Sequence, residues 1–284
     1  MRFAMIGVDR SIGVYDAFVA AGWTPVKLFT PPVDNYVDFN AEIIKRATSL
    51  KIPVQMSRVT DRDLKHLAED GCDILVVCDC PWRIGDWAAH LRYAINFHPS
   101  PLPKGRGPSP AVNAVLNRET GWGVSCHKIS AGFDEGDVLA QRTFGLSPEE
   151  THESISLKVD MAFRALARQV SRDFEALWQN AQPQATAAYR PAFTDHERTL
   201  DWHWPVERAL SLTRAFGKLG VYAEVSGALL VVRRAVGYAE PHDYRPGTVF
   251  NSNPRSPVIA VSDGYIGLLE WQAAPAGKAG QFRG

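Results

Sequence analysis

The sequence predicts a doubly wound α/β domain with a largely parallel sheet, followed by a small β-barrel. Three observations carry this. In the first half of the 284 residues, short apolar runs alternate with helical patterns, the arrangement that places helices on both faces of a parallel sheet. The run Ile74-Leu75-Val76-Val77-Cys78, entered through Asp73, is continuously apolar, as a strand buried on both faces must be. Beyond about residue 191 the pattern changes to short β-rich runs separated by turn signals, which suits a small barrel.

Element by element, Phe3 to Val8 reads as a strand and Ile12 to Ala21 as a helix that Gly22 ends. A strand over Pro25 to Phe29, a helix over Asn40 to Leu50, a strand over Pro53 to Met56 and a helix from Thr60 to Glu69 follow. After the buried run at 73–78, Ala94 to His98 is a further strand, and Gly123 to Ile129 and Val138 to Thr143 are two more. A long helical pattern spans Glu150 to Gln179, and the Ala-, Gln- and Pro-rich segment Ala181 to Pro191 reads as a linker. A helix over Val206 to Phe216 leads into strands at Tyr222–Val225, Ala228–Ala235, Thr248–Phe250, Val258–Val261 and Tyr265–Glu270. The expected division is residues 1–182, a linker at 183–200, and a carboxyl-terminal domain at 201–284.

Composition narrows the function classes. Hydrophobic residues make up 45% and charged residues 22%, which excludes disordered and fibrous chains. Lys plus Arg and Asp plus Glu are both 31, so no global field recruits nucleic acid or an anionic membrane. No stretch reaches the roughly 18 apolar residues of a membrane span, and the first eight residues are too short an apolar run for a signal peptide. Cys72, Cys78, Cys80 and Cys126 have no secretory context, and no further ligands stand near Cys78 and Cys80 at metal-binding spacing. On a strand those two would share a face. They are read as structural thiols of a reducing cytoplasm, with no metal expected. Gly7 and Gly13 do not make the three-glycine dinucleotide fingerprint.

Chemistry concentrates in two stretches. In Ile95-Asn96-Phe97-His98-Pro99-Ser100-Pro101-Leu102-Pro103-Lys104-Gly105-Arg106-Gly107-Pro108, Asn96 and His98 are two apart, so on a strand both side chains point to one face. They stand where a strand ends and a stiff proline- and glycine-rich loop begins, the place where open α/β sheets bind ligands. An amide and an imidazole there suit a site of preorganised polar groups; capping the loop's own backbone is the plainer reading. In Ile129-Ser130-Ala131-Gly132-Phe133-Asp134-Glu135-Gly136-Asp137-Val138, three acids crowd one connection. Such a turn is ordinarily solvated, but a carboxylate folded in near His98 would fix the imidazole tautomer and raise its basicity.

The order Asn-x-His, Leu-Pro, Arg-Gly and, downstream, Asp-x-Gly-Asp resembles the 10-formyltetrahydrofolate-dependent formyltransferases. Asn96 and His98 match the family's first pair, Leu102, Pro103, Arg106 and Gly107 its loop, and Phe133 to Asp137 its acidic loop. Phe133 stands where leucine is usual, and so does Pro101, a departure that could reshape the folate side of the loop. The resemblance is strongest from Asp73 to Thr143; from Leu200-Asp201-Trp202 on, the chain is similar to the carboxyl-terminal barrel of methionyl-tRNA formyltransferases. It implies a Rossmann-like formyltransferase domain at 1–182 and an OB-like barrel at 201–284. It also implies 10-formyltetrahydrofolate as co-substrate without a metal, catalysis by Asn96, His98 and Asp134, and folate binding by Cys80, Trp82, Arg83, Ile84, Ser100, Leu102, Gly132 and Asp137. Trp82 reads equally as ordinary core.

Family members formylate methionyl-tRNA, amino sugars linked to nucleotides, or small amines. The methionyl-tRNA enzymes carry a basic, glycine-containing loop after the second strand. Here Thr30 to Ala41 has no Lys or Arg and includes Asp34 and Asp38, which counts against the phosphate contacts that tRNA binding needs. Residues 183–284 hold 11 basic and 9 acidic residues, no electrostatic footprint. The chain is also short at that loop and at the carboxyl end. The expected acceptor is therefore a small-molecule amine, an amino sugar foremost, with initiator methionyl-tRNA as the alternative. A formyl-folate hydrolase and a non-catalytic folate-binding protein stand behind these; the amino-terminal regulatory domain usual in such hydrolases is not expected here. Nothing in the sequence fixes an oligomeric state.

Overall fold

The computed structural model describes residues 1–34, 38–250 and 256–275. Residues 35–37 of the Thr30–Ala41 segment, and 251–255 and 276–284 of the expected barrel region, lie outside the described residues. The chain divides into two compact units. The first holds Met1–Pro110, Gly121–Gly145 and Ser156–Arg190; the second holds Ala111–Thr120, Leu146–Ile155 and Pro191–Gly284.

The first unit is built on seven strands: β1 (Arg2–Ile6), β2 (Thr24–Phe29), β3 (Val54–Gln55), β4 (Ile74–Cys78), β5 (Tyr93–His98), β6 (Gly121–Lys128) and β7 (Val138–Gly145), in the order β3-β2-β1-β4-β5-β6-β7. β3 through β5 in that order run parallel, while β6 pairs antiparallel with β5 and β7 antiparallel with β6. The helices α1 (Ile12–Ala20), α2 (Ala41–Ser49) and α3 (Asp61–Glu69) connect β1 to β2, β2 to β3 and β3 to β4, as parallel strands require, while the β4–β5 connection carries only a short 3-10 turn at Trp87–Ala89. α3 starts at a capping box: Thr60 Oγ1 accepts the Asp63 N–H at 3.2 Å and Asp63 Oδ2 accepts the Thr60 N–H at 2.9 Å. α4 (Pro110–Leu116) was not foreseen in the sequence; it spans less than two turns. α5 (His152–Gln179) bends at Asp173, whose backbone leaves helical values.

Strand alternation sorts the core onto two faces. Phe3, Phe97, Phe18, Trp23, Phe163 and Phe174 pack edge-to-face on one of them, with Phe18 and Trp23 ring centroids 4.7 Å apart. Fully burying one such ring stabilises by roughly 1.5–3 kcal/mol. Ala4, Ile6, Leu64, Leu75, Val77 and Ala94 make the other face, with Cys80, Trp82, Ile84 and Ile129 packed against it. Ala94 lies there, so the period of two puts Asn96 and His98 on that second face.

One expectation is corrected. β4 ends at Cys78, and Asp79 turns the chain with φ +61°, a conformation that Asp tolerates better than most residues. Cys80 is therefore not a strand neighbour of Cys78: the latter is fully buried and the former half-buried.

In the second unit, α6 (Val206–Phe216) precedes a four-stranded antiparallel sheet of β8 (Val221–Val225), β9 (Ala228–Ala239), β10 (Val258–Val261) and β11 (Gly264–Ala273), ordered β10-β11-β9-β8. Among the described residues it is an open half-barrel with β10 and β8 at its edges. The expected strand at Thr248–Phe250 is reduced to a single bridge from Val249 to Ile259. No described helix is long and apolar enough to cross a membrane.

Candidate active site

β5 carries the two leading candidates at its carboxyl end. Asn96 is half-buried and His98 only 5% exposed. Beyond them the loop turns back sharply, with Gly105 and Gly107 at φ +78° and +113°. The turn lets the Gly105 carbonyl reach the imidazole: His98 Nε2 lies 2.9 Å from that oxygen. A carbonyl only accepts, so Nε2 carries a proton.

Asp134 comes from the connection between β6 and β7, and the structure brings it to His98. Its Oδ1 is 3.3 Å from His98 Nδ1, with the two side chains 12% and 7% exposed. Its Oδ2 accepts the Gly107 backbone N–H at 2.9 Å. Amide, imidazole and carboxylate thus converge from two separate segments. With Nε2 bound to Gly105, the Nδ1 edge and the carboxylate form a pair that can take up and release one proton.

Two residues that the sequence reading passed over complete the arrangement. His127 stands directly across the β5–β6 ladder from Asn96, with its Nε2 3.1 Å from Asn96 Nδ2 and its Nδ1 2.7 Å from the Lys128 carbonyl. Burial, and after it the neighbouring His98, pushes its pKa down to about 4. Its placement depends on the register between β5 and β6, which no spacing in the sequence fixes. Gln184 belongs to the stretch read as a linker. Its Nε2 donates to the Asp134 and Gly136 carbonyls at 3.0 and 2.7 Å, and its Oε1 accepts from Arg106 Nη2 at 3.0 Å. Arg106, 7% exposed, also donates to the Ala185 and Ala187 carbonyls. Gln182 pairs with Val138 and Tyr189 with Arg106, so residues 182–190 form a strap over the acidic loop.

The residues expected at the folate fall into three groups. Arg83 reaches from the segment after β4 to donate to the Ala131 carbonyl and lies over the Phe133 ring, 5.9 Å from its centroid; the two segments expected beside the pterin are therefore adjacent. Trp82 and Ile84 are half-buried against the core face of the sheet, and Cys80 closes a turn whose thiol accepts the Trp82 N–H at 3.4 Å. Burial pushes that thiol up to about 11, so it is not a nucleophile near neutral pH. Ser100 and Leu102 are withdrawn from the surface, and their backbone groups are bonded to His98, Ser125 and Gln141, so both shape the loop from within. Gly132 packs against the Glu135 carboxylate. Asp137 pairs with Lys128 Nζ at 3.1 Å.

Comparison with known proteins identifies the family and the fold. Residues 42–168 match the family model for formyl transferase, and residues 193–280 that for the formyl transferase carboxyl-terminal domain. The methionyl-tRNA formyltransferase of Thiobacillus denitrificans is 28% identical over 278 residues, covering 91% of this chain and 87% of the relative. HypX from Aquifex aeolicus, solved with tetrahydrofolic acid, superposes with a TM-score of 0.67 at 19% identity over 97% of this chain, which spans 44% of HypX. An N-formyltransferase from Helicobacter canadensis, solved with folinic acid and dTDP-3-aminofucose, superposes with a TM-score of 0.61 at 14% identity, covering 94% of this chain and 98% of that one. At these identities the solved structures establish the fold. The two family models, which together take in about three quarters of the sequence, place the chain in the formyl transferase family.

Proposed function

We propose that the chain transfers the formyl group of 10-formyltetrahydrofolate to the primary amine of a small molecule, with a nucleotide-linked amino sugar as the first class to test. The observation that carries the transfer is the convergence of Asn96, His98 and Asp134, with the carboxylate 3.3 Å from the imidazole. A neutral amine attacking a formyl carbon creates a tetrahedral centre with a negatively charged oxygen. The Asn96 amide supplies an N–H to that oxygen; removing one such donor typically costs about 10²–10³-fold in kcat. The proton shed by the nitrogen enters the His98–Asp134 pair and passes to the folate nitrogen as it leaves. The donor is already an activated amide, so the chemistry asks for positioned polar groups and exclusion of water.

The acceptor reading rests on charge. The segment after β2 has no Lys or Arg, and among its described residues Asp38 is met by Arg10 at 3.5 Å. Arg10 is in turn bound to Asp79 at 2.9 Å, so this cation is already matched by acids and offers little to a phosphate backbone. Initiator methionyl-tRNA is the second reading, favoured by the length over which the Thiobacillus denitrificans relative of that name aligns, in both domains. The deciding experiment measures formyl transfer to charged initiator tRNA beside a panel of nucleotide-linked amino sugars and free small amines. Turnover of an amino sugar is expected; efficient turnover of the tRNA alone overturns the acceptor, and consumption of the folate with no amine formylated overturns transfer.

A further inference from the structure

Asn96 has a neighbour whose chemistry the transfer scheme leaves unused. His127 lies opposite it on β6 and is 3% exposed, and its two ring nitrogens meet partners of opposite kinds. Nδ1 faces the Lys128 carbonyl at 2.7 Å. That oxygen can only accept, so the proton sits on Nδ1, and a neutral imidazole then presents a lone pair at Nε2. Asn96 Nδ2 lies 3.1 Å from that lone pair. The carboxamide must therefore turn its nitrogen, not its oxygen, toward the ring, because two acceptors in that position would repel.

An asparagine side chain has two N–H bonds in one plane. If one is spent on the imidazole, the other is fixed in direction. We infer that His127 is a positioning residue for formyl transfer: its Nδ1–H tautomer, set by the Lys128 carbonyl, orients the Asn96 carboxamide so that the second N–H points at the oxygen that becomes negative. This deepens the proposed reaction and rests on it. Without the ring, the amide can rotate by half a turn and offer an acceptor to the oxyanion, which costs the donor and adds a repulsion.

Burial works in the same direction. The ring is neutral through the physiological range, so Nε2 stays an acceptor. The groups that face it are His98, the Asp134 carboxylate, whose Oδ1 is 3.8 Å from Nε2, and the Arg106 guanidinium. A protonated ring would donate from both nitrogens and would reverse the amide.

The test compares His127→Phe, which keeps a flat ring but has no acceptor, with His127→Gln, whose Oε1 can accept the same N–H. Each is made alone and in an Asn96→Ala background, and kcat and the KM for formyl-folate are measured. His127→Phe should lower kcat on the order of 10²-fold, as loss of an oxyanion donor does, with KM unchanged within about two-fold. His127→Gln should recover most of that loss. In the Asn96→Ala background His127→Phe should cost nothing further, since residues that act through one group are not additive. Wild-type kcat in His127→Phe, or losses that multiply in the double variant, overturn the inference.

A second measurement does not depend on turnover. In the ¹⁵N spectrum of the wild-type protein at pH 7, His127 should show a protonated Nδ1 and an unprotonated Nε2. The opposite tautomer overturns the inference even if His127→Phe fails to fold. Should the wild-type protein formylate no amine in the panel, the proposed function falls, and the tautomer alone decides the role of His127.

Discussion

The Asp134 carboxylate makes two contacts, one that the proposed reaction uses and one that is architectural: Oδ1 faces His98 Nδ1 at 3.3 Å while Oδ2 accepts the Gly107 N–H at 2.9 Å. The second contact ties the acidic loop to the loop that follows β5, so the carboxylate and the imidazole are held by the two ends of one hydrogen-bonded frame. Asp134 adopts φ +57° to make both contacts, a region that costs most side chains about 1 kcal/mol or more. The surrounding bonds must hold it there.

Asp134→Asn separates the two roles. The amide oxygen can still accept the Gly107 N–H, while the charge opposite His98 is gone. Turnover should fall by about 10²–10⁴-fold, the usual contribution of a positioned acid–base pair, with the melting temperature and formyl-folate affinity little changed. Steady-state kinetics beside a folate titration check this; a variant with wild-type kcat would remove the carboxylate from the mechanism.

Gln184→Ala tests the strap. The substitution leaves the buried Arg106 guanidinium short of its side-chain partner and frees the Asp134 and Gly136 carbonyls. Leaving buried polar groups unpaired costs about 1–3 kcal/mol per group, more when one is charged. A loss of at least about 2 kcal/mol in urea unfolding is expected, together with a lower kcat, because Asp134 loses its backbone anchor. Unchanged stability and kcat would mean that the strap does not hold the loop.

How much of this was legible follows from what each residue depends on. The α/β order of the first unit is local information: apolar runs of strand length, helix caps such as Thr60, and glycine stops are all written in consecutive residues. Asn96 and His98 were legible for the same reason, since a spacing of two on one strand fixes a common face. Asp134 was reached through the resemblance rather than through spacing. His127 and Gln184 were not legible. One depends on which residue of β6 stands opposite Asn96, a matter of register between strands joined by more than twenty residues. The other lies in a segment whose composition signals a linker but whose side chains are captured by Arg106 and the acidic loop. The end of the buried run at Cys78 was legible, but the turn at Asp79 that takes Cys80 off the strand face depends on a positive φ that no spacing announces.

Two glycines of the acidic loop should respond differently to alanine. A Cβ on Gly136 would collide with the backbone carbonyl of Lys128, which no rotamer change relieves. The nearest atoms to a Cβ on Gly132 are the far end of the Glu135 side chain, which can swing away. Gly136→Ala should therefore destabilise by about 2 kcal/mol or more, in the range of overpacking, and lower kcat with it. Gly132→Ala should cost under about 1 kcal/mol. Equal effects in urea unfolding would show that the loop relaxes freely around Gly136.

The depressed pKa of His127 makes stability depend on pH in a stated direction. The folded ring takes its proton only near pH 4, whereas an unfolded histidine takes it near pH 6.5. As pH falls through 6.5 the unfolded state binds the proton first and is favoured, so stability drops between pH 6.5 and about 4 and levels off below. His98, Asp134 and Arg106 face the ring; burial drives the shift with help from His98 and Arg106, while the bond to the Lys128 carbonyl and the Asp134 carboxylate oppose it. At roughly 1.4 kcal/mol per unit the full loss is about 3 kcal/mol. His127→Gln removes the titrating group and keeps an acceptor for Asn96, so its stability should be flatter over the same window, and the difference between the two curves isolates this one proton. Urea midpoints at half-unit steps from pH 7 to pH 4 measure it. Parallel curves for the two proteins would mean that His127 titrates as a solvated histidine, and that burial does not keep its Nε2 an acceptor.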